Sequence, residues 1–228
     1  MENLLRDAGI QGARLRSSYP IVSHRDLNRR LLVDIFGLIS WLPEEHQKLE
    51  VLIRCAAGPV MAGVKPASLV SVLRSQSGDA WERRGVGICR DLGISAFPLR
   101  KSQRGTLVLL FRRRYLIRRA LTGVPGRYLR SLSYPTECGP EACLARLKAR
   151  LTESDAAFSP FPHEVGIFLG YPPVDVIGFC SGKPSPYGCR GYWQVYHRPE
   201  KAQRTFAWMD AARLKFMEEF LLKTIKTM

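Results

Sequence analysis

Apolar residues Leu27, Leu31, Leu32, Ile35, Phe36, Ile39 and Leu42 recur at intervals of three and four, which predicts an amphipathic helix over residues 26–42, closed by Pro43. A second short helix is expected to start at Pro43-Glu44-Glu45, where proline and acids suit a first turn. The apolar run 49–55, with Val51, Leu52 and Ile53, reads as a strand turned by Gly58-Pro59. Pro66 then opens an expected helix over residues 65–73. Another helix spans 79–92, with Asp79 as N-cap and Gly93 as its stop.

Residues 95–99 and 106–111 read as strands joined by the polar turn 100–105. Leu107-Val108-Leu109-Leu110-Phe111 is apolar on both faces, so that strand should be central. Helices follow at 115–121 and 126–132, broken at Gly123-Val124-Pro125, and at 139–151. Residues 156–161 read as a linker. Short helices at 163–170 and 174–180 are separated by Tyr171-Pro172-Pro173. The Gly-, Pro- and Ser-rich segment 181–190 is a loop, the aromatic run 191–196 an expected strand, and 199–225 a long amphipathic helix. The pattern gives a loose arm over residues 1–22 and one compact α/β (α+β) domain over 23–228. A small central sheet of about 3–5 strands would be surrounded by helices.

No apolar run approaches the ~20 residues of a membrane helix. Met1-Glu2-Asn3-Leu4-Leu5-Arg6-Asp7 is charged where a signal peptide is apolar. A cytoplasmic protein is expected, with no membrane partner. The six cysteines would then be reduced, and the spacings Cys138-x4-Cys143 and Cys180-x8-Cys189 match no common zinc knuckle. No metal and no cofactor are expected: phosphate loops, dinucleotide glycine motifs and His-Glu-x-x-His are all missing. The formal charge of +15 favours an anionic ligand or nucleic acid as partner. The densest basic run holds Arg112, Arg113, Arg114, Arg118 and Arg119. It reads as a strand end entering a helix, with Leu116 and Ile117 inward and the arginines solvated. Arginine-rich composition can equally arise from codon usage in a GC-rich genome.

The segment Pro162-His163-Glu164-Val165-Gly166-Ile167-Phe168-Leu169-Gly170-Tyr171-Pro172 sets an ionisable pair at the mouth of an apolar stretch. With Asp175-Val176 and Gly178-Phe179 after it, it is similar to the pattern His-Glu-Ile-Gly-x-Phe-Leu-Gly-Tyr-Pro-x-x-Asp-Val-x-Gly-Phe of an uncharacterised bacterial family, domain of unknown function 3793, known mostly from clostridia-like anaerobes. Gly58-Pro59-Val60-Met61-Ala62-Gly63-Val64-Lys65 and the block from Gly191 to Tyr196, with Ala202 and Phe206, carry the same resemblance. It implies no activity. One departure is visible: the family's cysteine falls at Ala57, and Cys55 lies two residues earlier.

Three readings of function follow. The first is a ligand- or partner-binding protein whose site gathers Lys65, His163, Glu164, Tyr171, Asp175, Trp193 and Tyr196. The aromatics would supply walls, Lys65 a positive charge, and the helix N-terminus at His163-Glu164 an anion-attracting end. Packing alone would instead have Glu164 cap its own helix. The second is a thiol-dependent hydrolase or transferase with Cys55 as nucleophile, His163 as base and Glu164 or Asp175 as orienter. The displaced cysteine counts against it. The third is nucleic-acid binding through the arginine run.

Overall fold

The computed structural model describes Gly37, Ser40 and residues 42–156 and 161–226. The expected arm over 1–22, most of the helix over 26–42 and part of the linker over 156–161 lie outside the described residues. Helix α1 (Glu45–Met61) leads into strand β1 (Ala67–Leu73) and a single turn, α2 (Arg74–Ser77). A π-helical turn at Trp81–Gly85 runs into α3 (Val86–Asp91). Strands β2 (Ser95–Ser102) and β3 (Gly105–Phe111) form a hairpin. Next come α4 (Arg113–Leu116) with a π-helical turn at Ile117–Leu121, α5 (Gly123–Ser131), α6 (Pro140–Ala156), α7 (Val165–Phe168), α8 (Pro173–Cys180) and α9 (Pro199–Lys226). The three strands lie in the order β1-β3-β2, antiparallel throughout. This is an α+β fold.

β3 is central, as its doubly apolar sequence requires. Leu109 and Phe111 join Ala67, Leu99 and the buried faces of α4 to α8 in one core. Val108 and Leu110 join Val70, Val72 and α1 in another. Successive side chains of a strand face opposite ways, so one strand feeds both cores.

Two neighbouring expectations are corrected. Residues 49–55 form no strand; they continue the helix begun at Glu45. Leu49, Ile53, Ala57 and Val60 recur at helical spacing and pack on the sheet, while Val51 and Cys55 pack on Met217 and Phe220 of α9. With both faces covered, α1 has no polar stripe to reveal its period. Gly58-Pro59 lies inside its last turns. At Gly58 a Cβ would stand 2.8 Å from the Ala212 carbonyl oxygen of α9, so the glycine permits a close helix crossing. Residues 67–73 are the edge strand β1, not a helix. Ser68, Val70 and Val72 are buried while Ser71 and Leu73 are exposed, a period of two.

The aromatic run 191–196 is also not a strand; only an isolated bridge joins Arg190 to Gln194. Its backbone donors are taken elsewhere. Gly191 N–H bonds the Trp193 carbonyl, Val195 N–H bonds that of Cys189, and Tyr196 N–H bonds the Asp175 carboxylate. The helices read at 79–92, 115–121, 126–132, 139–151, 163–170, 174–180 and 199–225 correspond to helical structure in each place. Among the described residues no helix is long and apolar enough to cross a membrane.

Candidate aromatic cleft

The segment from Pro162 divides into a half that builds the core and a half that lines a cleft. Val165, Ile167, Phe168, Leu169 and Val176 are buried in the larger core. Gly170 takes φ +81°, and a Cβ there would meet Pro66 Cδ at 2.3 Å. The glycine therefore serves both the turn and a close approach to the Lys65-Pro66 loop. This contact brings the first sequence block against the second.

Glu164 is 4 % exposed and makes no capping bond. Its Oε1 accepts from Tyr134 Oη at 2.8 Å and from Arg150 Nε. The carboxylate thus ties α7 to α6 and to the loop carrying Tyr134. Burial, then the charge of Glu164, pushes the Tyr134 phenol well above the ordinary tyrosine range. Asp175 is 1 % exposed. Its Oδ2 accepts from Trp193 Nε1 at 2.7 Å and its Oδ1 from Tyr196 N–H at 2.8 Å. It fastens α8 to the loop 190–196. Tyr196 stands its ring on Gly178 and donates its hydroxyl to the Lys183 carbonyl at 2.8 Å.

Between these anchors lies a cleft of about 220 Å³ lined by His163, Val165, Gly166, Tyr171, Asp175, Val176, Phe179, Arg190, Gly191, Tyr192, Trp193 and Gln194. Tyr171 and Trp193 stack obliquely with ring centres 4.8 Å apart. His163 is exposed, 5.4 Å from the ring of Phe161 and edge-on to Phe179 at 4.8 Å. Four of the seven residues grouped from the sequence therefore line one cleft: His163, Tyr171, Asp175 and Trp193. Lys65 sits beside it with its ammonium 5.5 Å from the Tyr171 ring centre, while Glu164 and Tyr196 are structural ties. Phe179, Arg190 and Tyr192 were not singled out from the sequence. Only the aromatic character of the run 191–196 could have pointed to Tyr192.

The thiol arrangement lacks the contact it needs. Cys55 is buried among Leu42, Val51, Met217 and Phe220, where burial pushes its thiol up to about 11. No hydrogen bond joins it to His163 among the described residues. Glu164 and Asp175, the proposed orienters, are committed to other donors. All six cysteines are free. Cys143 is buried in α6, Cys138 and Cys180 are exposed, and among the described residues no three His, Cys, Asp or Glu side chains converge on a metal position.

Along the basic run, Arg113 forms a two-pronged bond with Glu141, at 2.9 and 3.0 Å. Arg112, Arg114, Arg118 and Arg119 are exposed and have no carboxylate partner among the described residues. Arg118 and Arg119 both lie over the Tyr115 ring, at 5.1 and 5.7 Å. Tyr115 Oη donates to the Gly63 carbonyl at 2.6 Å.

Comparison with curated proteins and with solved structures found no match. The model of one family, described as protein of unknown function (DUF3793), matches residues 52–227, which include the α1–β1 loop, both short helices, the aromatic run and all of α9. The chain belongs to that family.

Proposed function

We propose that the cleft binds a planar, anionic small molecule. The observation that carries this reading is the state of Asp175. Both of its oxygens are already filled by Trp193 and Tyr196. Tyr192 Oη is likewise given to Asp210, and Gln194 Nε2 to the Cys189 carbonyl. The side chains left with free hydrogen-bonding capacity at the rim include His163 and Arg190, which are donors or cations. The rings of Tyr171, Tyr192 and Trp193 line the same cleft and give it an aromatic wall suited to a flat apolar ring. An aromatic carboxylate or phosphate satisfies both features, and the +15 charge favours its approach. The six free thiols support a reducing, cytoplasmic location.

Titration with benzoate, phenyl phosphate and neutral benzyl alcohol, read by tryptophan fluorescence, tests this. Saturable quenching by the anions is expected, absent in Trp193→Phe and weakened about tenfold in Arg190→Ala, the size of one lost charge-assisted hydrogen bond. Equal responses to the neutral compound and the anions would rule the reading out.

A second reading, nucleic-acid binding, is favoured by Arg112, Arg114, Arg118 and Arg119, which are exposed and have no carboxylate partner among the described residues. If all four meet phosphates, log K should fall with log salt at a slope of about −3 on single strands. Arg118→Ala with Arg119→Ala should flatten that slope by about half. A slope near zero, measured by fluorescence anisotropy, rejects this reading.

A further inference from the structure

Among the described residues, neither Lys65 nor Arg213 has a carboxylate in ion-pair contact. Lys65 is 4 % exposed, at the end of the loop leaving α1. Among the described residues its ammonium makes no hydrogen bond and no ion pair; its contact is the face of Tyr171. Arg213, on α9, lies over the Tyr192 ring at 4.9 Å. Its Nε is buried without a partner, and no carboxylate pairs with its guanidinium among the described residues. Asp210, one turn earlier on α9, accepts from Tyr192 Oη.

The two cations are held by one aromatic chain. Tyr171 packs on Trp193 at 4.8 Å, Trp193 on Phe206 at 4.5 Å, and Phe206 on Tyr192 at 5.7 Å. The close crossing at Gly58 sets the Arg213 backbone against the last turns of α1, from which the Lys65 loop departs. Burial and then the nearby Arg213 drive the Lys65 amine down to about 7. Cation–π contact offsets only part of such desolvation. Asp210 is the carboxylate nearest Arg213 along α9 and is bonded to Tyr192, so neither cation has a direct ion-pair partner among the described residues. That is unfavourable for buried charge, and a bound anion reduces the penalty. A compact ammonium beside a planar guanidinium fork suits a carboxylate or phosphate group.

We propose that Lys65 and Arg213 form an anion-binding site for a phosphate- or carboxylate-bearing ligand. It lies outside the cleft lining and shares Tyr171 and Tyr192 with it. It stands without the reading of the cleft, because neither His163 nor Arg190 takes part. The half-buried Arg213 supplies its mouth to solvent.

The test is thermal unfolding of the full chain in a zwitterionic buffer, with chloride exchanged for inorganic phosphate or acetate at constant ionic strength. A midpoint that climbs with the logarithm of anion concentration is expected, with half-saturation in the millimolar range. Lys65→Met and Arg213→Met should each raise the half-saturating concentration at least tenfold, while Arg84→Gln, an exposed charge control, should not. Response to phosphate alone identifies a phosphoryl ligand, and response to both anions identifies a carboxylate-tolerant site. An unchanged midpoint, or an equal rise in wild type and Lys65→Met, overturns the proposal. Amine acylation of the wild type, mapped by mass spectrometry, gives an answer that needs no variant. Labelling of Lys65 should slow at least fivefold in saturating phosphate, and an unchanged rate overturns the site. Quenching by benzoate is read separately, so either site can fail without the other.

Discussion

Lys65→Met is expected to stabilise the fold by roughly 3–5 kcal/mol at pH 6 in phosphate-free buffer. Most buried substitutions destabilise, so the sign is diagnostic. The lysine is lowered from an ordinary value of 10.5 to about 7 by burial and by Arg213. Above pH 10.5 the amine is neutral in both states and contributes nothing. Between 10.5 and 7 the unfolded chain takes up a proton that the folded chain does not, so stability declines as pH falls, by about 1.4 kcal/mol per unit. Below 7 both states are protonated and the folded one carries the whole penalty. Methionine keeps most of the volume and removes the charge. Losing the desolvated Tyr171 contact gives back about 2 kcal/mol, which places the net gain at the lower end of the expected range. The buried thiols Cys55 and Cys89, held up at about 11, act oppositely above their ordinary value of 9. The difference between variant and wild type across pH 6–10, from urea unfolding, isolates Lys65. A variant less stable at pH 6, with the same pH slope as wild type, would show that the ammonium is not strained.

Breaking the Glu164 tie should act in the other direction. Arg150→Met leaves a carboxylate 4 % exposed with only the Tyr134 hydroxyl, and should cost about 3–5 kcal/mol. Glu164→Gln keeps an acceptor for Tyr134 and loses the ion pair. Because Arg150 can turn toward water, with 31 % of its side chain exposed, a smaller loss of about 2 kcal/mol is expected. The double variant should lose less than the sum. Denaturant midpoints check this. Ligand affinity in the cleft should be unchanged in Glu164→Gln at temperatures where it is folded. Lost affinity with undiminished stability would return Glu164 to the site.

The contrast between His163 and Glu164 illustrates what could be read along the chain. Both stand at the entrance of an apolar run and look equally available. Sequence marks the place, but a neighbour decides the role. Tyr134 lies 30 residues away and Arg150 lies 14 away, and together they take the glutamate, leaving the histidine beside the cleft. Asp175 is filled in the same way by Trp193 and Tyr196, distant in sequence and adjacent in space. Arg213 gave no signal, because an arginine on an amphipathic helix looks like an ordinary solvated charge.

By itself the sequence determined the helices with one free polar face, the β2–β3 hairpin, the central place of β3 and the junctions at Gly93 and Tyr171-Pro172, whereas Gly123-Val124-Pro125, read as a break, is the first turn of α5. Those features rest on periodicity, proline and glycine, which act over a few residues. Tertiary structure alone decided that residues 49–55 are helical, that 67–73 are a strand and that 191–196 are a loop. It also decided which polar side chains are free and which are used up. In each case the competing local preferences differ by less than the packing and hydrogen bonding gained from a partner far along the chain.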